Sequence, residues 1–123
     1  MNKSKCRIGS NLKVLLQAIN EVPYGTAFIE GENSELVGIV TDGDFRRLLL
    51  KGKGLEDSLS SDDLGTFVSA KEGENFDELL NKTNNRINII PIVNDQNELI
   101  DYFEFKHKTK FTPVAEPTLE NKE

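Results

Sequence analysis

The sequence predicts an α/β (α+β) chain of two similar halves, each a small three-stranded sheet with its helices, packed back to back about a pseudo-two-fold. Two observations carry that expectation. One order of elements (strand-like piece, helix, strand, four-residue turn, strand) occurs twice. Residues 28–36 lie over 91–99 at an offset of 63, so that Ser34-Glu35-Leu36-Val37 matches Asn97-Glu98-Leu99-Ile100. Leu12, Leu15 and Leu16 lie over Phe76, Leu79 and Leu80 at an offset of 64. The second observation is size. A chain of 123 residues makes one domain, and neither half alone can bury both its sheet faces and its helices, whereas two packed halves can.

Each element has its own signal. Residues 1–7 are polar and read as a loose N-terminus, with Ile8 opening a short extended piece. Ser10 or Asn11 caps a helix to about residue 20, whose apolar stripe is Leu12, Leu15, Leu16 and Ile19. Pro23-Tyr24-Gly25 ends it. Residues 26–30 and 36–41 are β-prone runs around the turn 31–34, a hairpin in outline. A helix follows over about residues 43–51, with Phe45, Leu48 and Leu49 on one face, and Gly52-Lys53-Gly54 breaks it. The first half is thus residues 8–54, and the acidic, serine-rich stretch 55–65 is a connector with one helical turn. Residues 67–68 are extended, a helix covers about 75–84, and strands cover 87–93 and 99–105 around the turn 94–97. The second half is residues 66–107, and 108–123 form a tail.

Composition narrows the function. A net charge of −6 argues against a general nucleic-acid or anionic-membrane binder, but leaves room for a small anion held by a few arginines. One cysteine, Cys6, forms no intrachain disulfide, and one histidine, His107, forms no paired-histidine mechanism. No apolar signal core or membrane-length run is present, so the expected location is cytoplasmic. No nucleophile, base and orienting group can be assembled, so this chain by itself is not expected to be an enzyme.

The polar residues concentrate where a strand becomes a helix, at Thr41-Asp42-Gly43-Asp44-Phe45-Arg46-Arg47. Thr41-x-x-Asp44 has the pattern of a capping box, which needs no ligand. The same residues suit a binding site, since a helix N-terminus favours an anion and arginines add charge-assisted contacts. For Arg46 and Arg47 the plainer reading is a solvated helix face. Asp42 and Asp44 also form an Asp-x-Asp, the spacing with which a transferase or phosphohydrolase holds Mg²⁺.

At this point the sequence resembles a tandem pair of cystathionine-β-synthase (CBS) domains, the Bateman module, over roughly residues 5–107. The specific part is Leu36-Val37-Gly38-Ile39-Val40-Thr41-Asp42-Gly43-Asp44-Phe45-Arg46-Arg47, with its Gly, two apolar residues, Thr, two variable residues and Asp. The Pro91-Ile92-Val93-Asn94-Asp95-Gln96-Asn97-Glu98-Leu99 segment resembles the same family's proline-led strand and turn. The resemblance implies two β-α-β-β-α repeats and a non-catalytic regulatory module that binds an adenosyl nucleotide or a nucleotide-sugar between its halves and forms a homodimer. No cofactor is required. It implies Asp44 on the ribose hydroxyls, Thr41 on a phosphate or ribose oxygen, and Arg46 or Arg47 on phosphate. Gly25, Thr26 and Ala27 would face a base edge, with Ser10 or Asn11 approaching from the first helix. The Thr-Asp-Gly-Asp form is similar to modules attached to sugar-phosphate isomerases and sugar nucleotidyltransferases, which implies an attached or partner enzyme of sugar-nucleotide or polysaccharide metabolism.

The second half departs from the pattern. At the positions of Gly38, Thr41 and Asp44 it has Asp101, Glu104 and His107, and the closing helix gives way to the tail. One usable site is expected, with a degenerate second cleft near Asn88, Ile89 and Pro91. A structural dimerisation module without a ligand is the alternative that this departure favours. Residues 111–119 resemble the opening of a pyridoxal-phosphate (PLP) sugar aminotransferase, which would place PLP only in a downstream domain. They equally read as a solvated, proline-interrupted tail.

Overall fold

Alternation of inward and outward side chains along short β-prone runs builds two sheets of the same design. The computed structural model describes residues 4–21 and 25–105. In the first sheet β1 (Lys5–Arg7) runs parallel to β2 (Thr26–Glu30), and β3 (Leu36–Thr41) pairs antiparallel on the other side of β2. In the second, β4 (Ala70–Lys71), β5 (Ile89–Val93) and β6 (Leu99–Glu104) repeat that arrangement. The helices are α1 (Leu12–Asn20) and α2 (Asp42–Leu50) in the first half and α3 (Phe76–Asn81) in the second.

The repeat holds at the level of register. Thr26 faces Thr41 as Ile89 faces Glu104, and both hairpins shift register at the same place, between Ile29 and Glu30 and between Ile92 and Val93. Ser34 and Asn97 both take the left-handed conformation, at φ 67° and 63°. Asn11 and Asn75 both cap a helix, accepting from Val14 N at 3.0 Å and Glu78 N at 2.9 Å.

Three apolar clusters follow from the alternation. Ala27 and Ile29 of β2 point towards α1 and α2, joining Leu12, Leu15, Val40, Phe45 and Leu48. Phe28, between them, points the other way and meets Leu36, Ile89, Val93 and Leu99 between the two sheets. Its ring lies 6.0 Å from that of Tyr102. Because β2 is buried on both faces, its middle residues Ala27, Phe28 and Ile29 are apolar without alternation. A third cluster, Ala70, Leu79 and Ile90, packs α3 on the outer face of the second sheet. The two hairpin turns are tied to each other: Leu36 N donates to Asn97 O at 2.8 Å, and Asn97 Nδ2 donates to Leu36 O at 3.1 Å.

Several expectations need correcting. The first strand is Lys5–Arg7, in the segment read as loose, because Cys6 sits opposite Ile29 and is buried in the first core, while Lys5 ion-pairs with Glu30 at 3.2 Å. Of the two cap candidates for α1, Asn11 is the one that caps it. The connector has its helical turn at Ser61–Asp63, and it also packs on the first half, which was not expected: Leu59 is 1% exposed in the first core, and its amide donates to Ser10 O at 2.7 Å. The strand expected at residues 67–68 forms at Ala70–Lys71, where pairing with β5 begins. Phe76 lies on the exposed side of α3, edge-on to Phe103 at 5.6 Å. His107, the missing closing helix, and the tail 108–123 with its aminotransferase-like stretch lie outside the described residues.

Candidate functional site

The capping pattern read at the β3–α2 junction is formed. Thr41 Oγ1 accepts from Asp44 N at 3.1 Å, and Asp44 Oδ2 accepts from Thr41 N at 3.0 Å. Asp44 Oδ1 also accepts from Arg47 Nη2 at 2.7 Å. Burial alone would raise the Asp44 pKa. The Thr41 amide and the Arg47 guanidinium outweigh it and hold the carboxyl below the ordinary range.

The capping box does not bury these groups. Thr41 and Asp44 line a cleft of about 410 Å³ between the halves, within the usual range for small-molecule sites. α2 and its C-cap Lys51 supply one wall, through Asp44, Arg47, Leu48 and Lys51, spaced i, i+3, i+4, i+7 on one helix face. The strand ends add Thr26, Ile39 and Val40, and the connector adds Asp63 and residues 65–68. The opposite wall is Arg86, Ile87, Asn88 and Ile89 of the second half. Ile39, Phe67, Val68, Ile87 and Ile89 make an apolar surface suited to a flat ring, beside hydroxyl, carboxylate and cationic groups suited to a phosphorylated sugar. Asp63 is anchored by Lys53 Nζ at 2.6 Å. Its burial, which would raise its pKa, is outweighed by the hydrogen bonds from Lys53 and Ser60.

Of the residues singled out from the sequence, the structure gathers Thr26, Thr41, Asp44 and Arg47 at this cleft. Gly25, at φ 60°, adjoins it and accepts from Asp42 N at 3.1 Å. Three others do not line it. Ala27 is fully buried under the helices. Arg46 pairs with Asp42 at 2.8 Å on the exposed side of α2. Ser10 sits beside Cys6, whose thiol is pushed up by burial with a smaller opposing hydrogen bond from Ser10. Asp42 is also absent from the lining, so Asp42 and Asp44 do not converge on one metal position there, and no cluster of three metal-ligating side chains occurs among the described residues. Asn88 and Ile89, expected in a separate degenerate cleft, belong to the same one, while Pro91 is fully buried and does not line it. Lys51 and Arg86 were not read from the sequence. The i+7 spacing from Asp44 would have found Lys51; Arg86 carries no pattern.

No family model matches the chain. An uncharacterized protein of Helicobacter pylori strain J99 is 31% identical over 96 residues, which cover 74% of this chain and 28% of that protein. A probable arabinose 5-phosphate isomerase of Haemophilus influenzae is 32% identical over 102 residues, 78% of this chain and 29% of that protein. The chain therefore spans less than a third of the curated relatives it matches. Among solved structures, a CBS domain protein from Pyrobaculum aerophilum complexed with AMP superposes at TM-score 0.69, with 13% identity over 81% of this chain and 78% of that one. A CBS domain protein from Streptococcus pneumoniae gives 0.68, with 12% identity over 81% and 68%. Staphylococcus aureus OpuCA gives 0.65, with 16% identity over 81% and 83%.

Proposed function

We propose that this chain, which has the fold of a CBS-domain pair, is a non-catalytic regulatory module that binds an adenosyl nucleotide or a nucleotide-sugar in the cleft between its halves. The observation that carries this reading is the composition of the cleft: walls from both halves, with Thr41, Asp44 and Arg47 beside an apolar surface. The AMP held by a structural neighbour of the same fold supports an adenine nucleotide. A ligand touching both halves stabilises one arrangement of them, and an attached enzyme feels the change to the extent that its states differ in ligand affinity. The partner on this reading is an enzyme of sugar-nucleotide or polysaccharide metabolism, which the likeness to a probable arabinose 5-phosphate isomerase supports. Homodimerisation is part of the reading. Val14, Leu49, Leu50 and Leu55, around the N-terminal end of α1 and the C-terminal end of α2, are 40–86% exposed and offer apolar area for it.

The test is a thermal-shift panel of AMP, ADP, ATP, S-adenosylmethionine and CMP-, UDP- and GDP-sugars. A ligand at about a hundredfold over its Kd adds roughly 2.7 kcal/mol. A shift with one nucleotide class supports the sensor and names its ligand. No shift across the panel, with a dimer by sedimentation, replaces it with the structural dimerisation module.

A further inference from the structure

Five charged side chains line the cleft, and three of them are already matched. Asp44 and Arg47 neutralise each other at 2.7 Å, and Asp63 is paired with Lys53 at 2.6 Å. Lys51 and Arg86 are left. Among the described residues neither side chain takes part in an ion pair or a side-chain hydrogen bond. They stand on different halves. Lys51 ends α2, and Arg86 lies in the loop before β5. That loop is built to hold its backbone in place: Asn84 Oδ1 accepts from Arg86 N at 2.7 Å and Ile87 N at 2.8 Å, and Asn84 N donates to Ile87 O at 2.8 Å. In a chain of net charge −6, two unmatched cations lining one cavity from different halves are a local reversal of sign.

We propose that the ligand is a phosphate ester whose phosphoryl group is clamped between Lys51 of the first half and Arg86 of the second. This rests on the reading of the cleft as a ligand site. A phosphomonoester carries about −1.5 to −2 at neutral pH, which matches the two cations. The Arg86 guanidinium can bond two phosphate oxygens at once, while Lys51 acts as a point charge. The clamp makes the phosphoryl group the link between the halves. It also selects against an unphosphorylated nucleoside and against a cationic adenosyl compound. Nucleotides and sugar phosphates share the recognised chemistry.

The experiment is calorimetric titration of the 123-residue chain with adenosine, AMP, ribose 5-phosphate and inorganic phosphate. It is repeated for Lys51→Gln, Arg86→Gln and the control Arg46→Gln, which lies outside the cleft. AMP should bind about tenfold or more tighter than adenosine. Each cleft variant should lose about tenfold for phosphorylated ligands and leave adenosine unchanged. Arg46→Gln should match wild type. Ribose 5-phosphate binding as well as AMP assigns a sugar phosphate, and AMP binding alone assigns a nucleotide; both support the clamp. Equal affinity for adenosine and AMP, unchanged AMP affinity in Arg86→Gln, or inorganic phosphate binding as tightly as the esters overturns the clamp but leaves the ligand site standing. A panel in which nothing binds overturns the clamp, and together with no shift across the thermal-shift panel it overturns the ligand site as well.

Discussion

Replacing Asp44 by alanine separates two roles of one carboxylate. In the free protein it closes the α2 capping box, accepting from the Thr41 amide at 3.0 Å, and it holds Arg47 at 2.7 Å. The side chain is 42% exposed, so the ion pair adds only about 0.3–0.5 kcal/mol. Losing the acceptor for the Thr41 amide costs about 0.5–1 kcal/mol. Losing a negative charge in the first helical turn costs about 0.3–1 kcal/mol more. The expected sum is about 1–2.5 kcal/mol, or a fall in Tm of about 4–10 °C for a chain of this length. Asp44→Asn keeps an acceptor and should recover roughly half of that loss. Urea unfolding followed by circular dichroism, without ligand, measures both. A variant Asp44→Ala within about 0.3 kcal/mol of wild type refutes the capping argument. Once this baseline is known, any loss of nucleotide affinity, read where both proteins are folded, belongs to the carboxylate as a ligand group.

Other outcomes follow from burial and charge. Phe28 is fully buried between the sheets, so Phe28→Ala should cost about 3–5 kcal/mol by chemical denaturation; a loss below 1 kcal/mol would mean that the halves do not share this core. Leu59→Ala should cost about 2–5 kcal/mol, since the side chain is 1% exposed; a neutral result would mean that residues 55–65 do not pack on the first core. Asp44 and Asp63 both titrate below the ordinary carboxylate value in the folded state. Their contribution is therefore complete above the unfolded pKa near 3.9 and fades as pH falls through their lower folded values. An acid titration of stability should be flat down to about pH 5 and then drop, less steeply in Asp63→Asn. Cys6, 4% exposed with its thiol pKa raised mainly by burial, should react with a thiol reagent at pH 8 only at the rate of unfolding; fast labelling in native buffer would show that β1 is not docked.

The duplicated order of elements was legible because the two hairpins keep the same apolar run and the same turn spacing, and register enforces it. The capping box was legible from Thr41-x-x-Asp44, because three-residue spacing at a helix start is local chemistry. β1 was hidden: Lys5-Cys6-Arg7 has a single inward residue, and its parallel pairing with β2 joins segments more than twenty positions apart. Leu59 was hidden in an acidic stretch whose role as a lid on the first core depends on tertiary contacts alone. At the site, Asp44 and Arg47 were readable on one helix face, and Asn88 and Ile89 as cleft residues, but not that both groups line one cleft with Arg86, because they meet only when the second half packs on the first.

The crossed turns have a mechanical consequence. Leu36 and Asn97 are pinned to each other where β3 begins, and Thr41, at the other end of β3, is in the cleft. Five residues of strand separate pin from mouth, a lever of about 17 Å. A swing of only about 3° at that fulcrum moves the jaws by roughly 1 Å, comparable to the difference between a direct and a broken hydrogen bond. Neither of the two hydrogen bonds of the joint has to break for a swing of that size. Any domain bolted to one jaw would read that leverage as a change of angle.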